Sequence, residues 1–197
     1  MMNARTIALM SAALMLTAAP VPLDSSRASE SLVAATTTRQ DRVLFRRPER
    51  LRLPDGQVRL VRSVIRTNGP LRHGQQRWDE PETGTGPIWI RVDLSRQIIS
   101  VFRGEHEIGT TVVLYGADSV PTPTGVYPVL AKYRQHRSSI YDADMPFTLR
   151  LTNDGIAIHA STVRDGAATH GCIGVPRSFA EKLFDMAEVG THVAIQS

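Results

Sequence analysis

A thiol becomes a strong nucleophile only as its thiolate, and a neighbouring imidazole can both take the proton and stabilise the charge as an ion pair. The chain has a single cysteine, Cys172, within Thr169-His170-Gly171-Cys172-Ile173, and a second histidine, His159, closes the apolar run Ile156-Ala157-Ile158. His170 is two residues from Cys172, so an extended backbone would set both side chains on one face. Gly171 between them lets the chain turn without a Cβ penalty, so that amides around Cys172 can face a developing oxyanion. The chemistry expected is nucleophilic catalysis by an acid-shifted thiol, reactive at neutral pH. Taken singly, each histidine also fits a satisfied core or loop residue, and the cysteine a small buried hydrophobe. Zinc is disfavoured, because one cysteine and two histidines lack an obvious fourth ligand and a C-x-x-C pair.

These residues need a frame of short strands. Ile88, Ile90 and Val92 alternate with Trp89, Arg91 and Asp93, and residues 97–102 follow after a polar break, giving two strands. Residues 103–106 make a turn into a β-branched stretch over 108–115 that closes a hairpin. Pro121-Thr122-Pro123-Thr124-Gly125 punctuates a loop, after which residues 126–130, 147–151, 155–159 and 191–195 read as further strands. Their length and spacing predict an antiparallel β-sandwich or barrel. One helix is expected to open at Ser178, where Ser178 and Glu181 form an S-x-x-E capping box. Phe179, Leu183 and Met186 mark its core face, and Gly190 is placed to stop it.

The 197 residues suffice for one well-buried domain with extra segments. Charge is uneven. Between Arg39 and Arg77 there are 11 arginines against Asp41, Glu49 and Asp55, whereas residues 87–197 hold 10 Lys and Arg against 11 Asp and Glu. Residues 29–85 therefore read as a basic, Gly/Pro-punctuated linker, with residues 57–65 as a possible added edge strand. The catalytic domain is expected over residues 86–197, separable from that arm. The arm's local positive field suits an anionic wall or membrane surface, or simply water. Arg5 followed by the apolar residues 6–19 reads as a signal peptide over residues 1–28, cleaved after Ala28 or after Ala19. Export makes an unpaired cysteine informative, because secreted domains usually hold cysteines in pairs.

The run Thr169 to Ile173, preceded by a strand ending in His159, resembles the signature of the L,D-transpeptidase catalytic domain family (YkuD-like). The Pro-Thr-Pro-Thr-Gly loop, the opening hairpin of residues 88–102 and the closing helix are similar too. The resemblance covers roughly residues 86–195. It implies a mostly β, sandwich- or barrel-like fold with one short carboxy-terminal amphipathic helix. It also implies a periplasmic or envelope enzyme of peptidoglycan biosynthesis and remodelling, hence of cell-wall biogenesis and cell shape. Such an enzyme attacks tetrapeptide stems through a cysteine thioester and passes the acyl group to an amine of another stem or a wall-linked protein. Water as acceptor makes it a carboxypeptidase, and loss of turnover leaves a wall-binding module.

Carried over by position, Cys172 is the nucleophile and His159 its base, oriented through the main chain near Ala160. His170 and Gly171 shape the site and the oxyanion hole. The chain departs from the family in a shorter stretch from His159 to Cys172 and in Gly174, where arginine is often found. Thr169, Arg164 and Arg177 are therefore the candidates for substrate contact. No metal or organic cofactor is implied, and a monomer acting without nucleic acid is expected.

Overall fold

The structure is a computed structural model that describes residues 41–81, 84–117, 119–139 and 141–197. The expected signal peptide, residues 1–28, lies outside them. The chain runs β1 (Arg42–Arg52), β2 (Val58–Ile65), β3 (Gln76–Trp78), β4 (Ile88–Asp93), β5 (Ile98–Arg103), β6 (His106–Val112), β7 (Gly125–Pro128), β8 (Ala131–Tyr133), β9 (Thr148–Arg150), β10 (Ala157–Ala160), β11 (Ile173–Val175), α1 (Arg177–Met186) and β12 (His192–Gln196). A large sheet has the order β1-β2-β6-β5-β4-β12-β7, with β3 added on β6, and a small sheet has the order β11-β10-β9-β8.

Strict alternation sets the sides of the large sheet. Ile90, Val92, Ile99, Val101 and Ile108 turn inward to meet Leu149, Ile158, Ile173 and Val175 of the small sheet and Phe179 and Leu183 of α1. Burying each of these side chains contributes about 1.5–3 kcal/mol relative to leaving it in water. The β4–β5 turn is held by Asp93, whose Oδ1 accepts from Ser95 Oγ at 2.7 Å and from the Arg96 amide at 3.1 Å.

The mostly β class agrees with expectation, but the pairing is not purely antiparallel: β4–β12, β2–β6 and β10–β11 are parallel. Two short strands, β8 and β11, were not legible in the periodicity, since three residues carry too little of it. The helix begins one residue before Ser178 and has no side-chain cap. Ser178 Oγ instead accepts from Gln76 Nε2 at 2.5 Å, so the capping box does not form. The helix closes at Met186 with Ala187 as its cap, ahead of Gly190.

The linker expected over residues 29–85 does not describe residues 42–78, which are built into the large sheet. Arg42 is 4% exposed. Its guanidinium donates to Asp79 Oδ2 at 2.6 Å, to Ser63 Oγ at 2.8 and 3.2 Å, and to the Glu107 carbonyl at 2.5 Å. A buried guanidinium is tolerated because these acceptors replace its water. Leu53 and Val61 cover Trp89, Phe102 and Ala194 on the outer face of the sheet. In β3, Trp78 lies 4.7 Å from the Phe179 ring, and Gly109 leaves it room: a Cβ there would sit 2.4 Å from the indole.

Candidate active site

The small sheet brings the signature residues together through its register. In the parallel pair β10–β11, Ile158 is level with Ile173 and His159 with Gly174. Extending the register back by one sets Cys172 level with Ala157. Cross-strand neighbours share a face and alternate residues return to it, so Cys172 and His159 lie on one side while Ile158 and Ile173 fill the core on the other. Both line a cavity of about 390 Å³ with Gly155, Tyr141, Thr169 and His170.

The imidazole is oriented by the main chain, as the resemblance implies: His159 Nδ1 lies 2.9 Å from the Ala160 carbonyl. A carbonyl only accepts, so Nδ1 carries the proton and Nε2 offers a lone pair. Burial, reinforced by nearby His136, holds His159 below the ordinary imidazole value although the Ala160 bond acts the other way. Burial also pushes the Cys172 thiol up, against a weaker opposing backbone hydrogen bond from Ala157. The Sγ–H donates a long bond, 3.7 Å, to the Gly155 carbonyl. The expectation of an acid-shifted thiol is thus reversed. Both groups favour their neutral forms at rest, because neither ion is well solvated here.

The turn carrying the nucleophile is clamped from beneath. Thr122 Oγ1 accepts from the Gly116 amide and donates to the Gly171 carbonyl, both at 2.9 Å. Thr169 Oγ1 donates to the Cys172 carbonyl at 2.5 Å. In a trans peptide the N–H points opposite its carbonyl, so tying back the Gly171 oxygen turns the Cys172 amide the other way. That amide is the natural oxyanion donor. Gly171 has φ +95°, and a Cβ would meet Ile156 Cδ1 at 2.7 Å. This turn also means that no extended backbone joins His170 to Cys172. His170 is exposed at the cavity rim and stacks on Tyr141, with centroids 4.1 Å apart and planes at 14°. Thr122 and Tyr141 were missed in the sequence. The Pro-Thr-Pro-Thr-Gly run marked a loop there, but not the strand end it would hold.

Thr122→Val keeps the shape and removes the hydroxyl. It is expected to cost about 1–3 kcal/mol by orphaning the Gly116 amide and Gly171 carbonyl. Turnover should fall by roughly 10- to 100-fold as the oxyanion donor loses its aim. Thr122→Ser should restore both. An unchanged kcat beside a lowered melting temperature would assign the clamp to the fold alone.

Arg164 and Arg177 do not line the thiol cavity. They line a neighbouring cleft of about 510 Å³ with Ser161 and Asp144. Gly174 is closed in: a Cβ would approach Ser161 Cβ to 2.9 Å and Leu114 Cβ to 3.3 Å. Among the described residues no group of three or more His, Cys, Asp or Glu is arranged to hold a metal ion.

Residues 87–195 match the family model for the L,D-transpeptidase catalytic domain. A curated relative, the probable L,D-transpeptidase 3 of Mycobacterium tuberculosis, is 28% identical in an alignment 107 residues long, with coverage of 46% of this chain and 40% of that protein. The chain thus aligns with less than half of that relative's length. The crystal structure of an L,D-transpeptidase from Stackebrandtia nassauensis superposes with a TM-score of 0.53 at 24% identity, covering 61% of this chain and 59% of that one. An L,D-transpeptidase from Mycobacterium smegmatis gives 0.54 at 15% identity, covering 83% and 85%. At these identities the likeness speaks for the fold. The family match itself spans more than half of the sequence, and the chain belongs to the L,D-transpeptidase catalytic domain family.

Proposed function

We propose that this chain is an exported cysteine L,D-transpeptidase acting on peptidoglycan tetrapeptide stems. The observation that carries the reading is the shared cavity of Cys172 and His159, with Nδ1 of His159 fixed on Ala160 so that Nε2 is free to act as base. Attack begins when Nε2 takes the Sγ proton and the sulfur bonds to the carbonyl carbon between the third stem residue and its terminal D-alanine. The oxyanion lies against the Cys172 amide. Its collapse breaks the C–N bond, and the imidazolium returns the proton to the leaving amine. An acceptor amine then attacks the thioester, gives its proton to Nε2, and expels the sulfur, which regains that proton. Each cycle exchanges one amide for another with no net proton change.

Incubation with a tetrapeptide-bearing muropeptide, read by mass, tests this. Cross-linked dimer with loss of D-alanine is expected. Trimmed tripeptide would make the protein a carboxypeptidase, and an unchanged substrate a wall-binding module.

The neutral resting pair sets the pH dependence. A lowered His159 value means that the free base persists as pH falls through about 6.5, the ordinary imidazole value. Accordingly kcat/KM should hold through that range and decline only below it. Iodoacetamide should label the substrate-free thiol slowly at neutral pH and faster only above about 8.5, where an ordinary thiol titrates. Rapid labelling at pH 6 to 7 would show an ion pair instead.

The arginine-rich strands are assigned to an anionic wall or membrane surface at the periplasmic face of the envelope. Arg46, Arg47, Arg50 and Arg52 are exposed along β1, which supports the assignment. Salt screens such fields over about 8–10 Å at physiological strength. Sedimentation with isolated sacculi should therefore weaken as salt rises, and more so for a chain with these four arginines changed to glutamine. Salt-insensitive binding by both proteins would remove the assignment.

A further inference from the structure

The arginine-lined cleft lies against the thiol cavity with a thin partition between them. Ala143 and Met145 line the thiol side, Asp144 and Pro146 line the other, and Ala168 borders both. Arg164 and Arg177 enter the second cleft, and neither makes an ion pair among the described residues. The Arg177 guanidinium lies over the Phe147 ring, 5.2 Å from its centre, which positions the charged head by a cation–π contact. The acid lining this cleft, Asp144, is already engaged by Arg137 Nη1 at 2.7 Å. Two guanidinium groups without ion pairs therefore line the cleft, and Arg137 already takes one oxygen of its acid. A planar carboxylate is the anion that guanidinium groups match in geometry and charge.

The position two residues after the nucleophile cannot supply this charge. Gly174 pairs its backbone with Leu114 and has Ser161 where a Cβ would go. Arg164 and Arg177, by contrast, line the adjoining cleft. We propose that the second cleft is a carboxylate subsite, in which Arg164 and Arg177 hold a free carboxylate of the peptide stem whose reacting carbonyl lies at Cys172. The subsite rests on the reading of the substrate given above.

Binding separates the subsite from turnover. The full chain carrying Cys172→Ala is titrated calorimetrically with a tetrapeptide stem whose carboxylates are free, and with the same stem amidated at all of them. The free stem should bind at least 10-fold more tightly. Adding Arg164→Gln and Arg177→Gln should erase most of that preference and leave the amidated stem unaffected. Because Arg177 rests on Phe147, the exposed loop variant Arg164→Glu is measured as well, and it should also weaken the free stem. Equal affinity for the two stems, an unchanged preference in both variants, or no binding of either stem would overturn the subsite. Arginine-dependent binding without turnover of any stem by the Cys172 chain would instead count against the transpeptidase reading and leave the subsite standing.

Discussion

Cys172→Ala should abolish D-alanine release and cross-linking while the protein stays folded, and His159→Ala should lower turnover by about 100- to 10,000-fold. The two changes act on different atoms of one event. Without Sγ no thioester can form. Without the imidazole the thiol must lose its proton unaided, and burial, which already raises it, makes that loss rarer still at neutral pH. His159→Ala should therefore recover some activity as pH climbs past the raised thiol value, whereas Cys172→Ala should recover none at any pH. The volume removed at Cys172 is small beside a core truncation such as Leu→Ala, which costs about 2–5 kcal/mol. Circular dichroism and thermal melts should thus superpose on the parent. An intact-mass assay for the acyl adduct completes the measurement: the parent should accumulate one and Cys172→Ala should not. Activity in His159→Ala close to that of the parent at pH 7 would remove the base from the mechanism.

The second large effect is on stability. A chain beginning at residue 86 is expected to be insoluble or non-cooperative on melting, although its sequence contains every signature residue. Removing residues 41–81 takes away the buried side chains Leu53, Val61 and Ile65 and the half-buried Trp78. At about 1.5–3 kcal/mol for each fully buried apolar side chain, the loss is of order 5–10 kcal/mol. Whole domains are stable by only about 5–15 kcal/mol. The deletion also bares the stacked pair Trp89 and Phe102, whose rings lie 4.1 Å apart. A milder probe is Arg42→Ala, expected to cost about 1–3 kcal/mol by leaving the buried Ser63 hydroxyl and Glu107 carbonyl without their donor. If the 86–197 fragment were soluble and melted cooperatively within a few degrees of the full chain, the hairpin of β1 and β2 would be ornament.

That segment is also where the sequence was least readable. The alternation of Ile88, Ile90 and Val92 against Trp89, Arg91 and Asp93 announced β4 correctly because the aliphatic set faces the main core while the other face, with Trp89 under a smaller cluster, keeps Arg91 and Asp93. In β1 the inward residue is an arginine, and its burial depends on Asp79, Ser63 and Glu107, which are distant in the chain and bear no local signal. Ser178 and Glu181 carried a capping signal that Gln76 of β3 overrides. At the site, the spacing of His159, Gly171 and Cys172 was legible because all three serve one strand pair. The clamp by Thr122 and the raised thiol were not, since both arise from what the tertiary structure packs around the turn. Arg164 and Arg177 could be named as candidates, but only the cleft they share gives them a common ligand.

The position of β12 bears on how the molecule can be made. The sheet partners of β12 are β4 on one side and β7 on the other, and β7 joins the large sheet through β12. Residues 192–196 are thus the insert that closes a gap between strands synthesised much earlier. Until they are free to dock, β7 has no seat and the inward face of β4 has an open flank. Completion of the large sheet therefore waits on residues 192–196 and is governed by contacts of long sequence separation. A chain held unfinished, or one shortened by these few residues, would present unpaired strand edges to its neighbours rather than a slightly smaller domain.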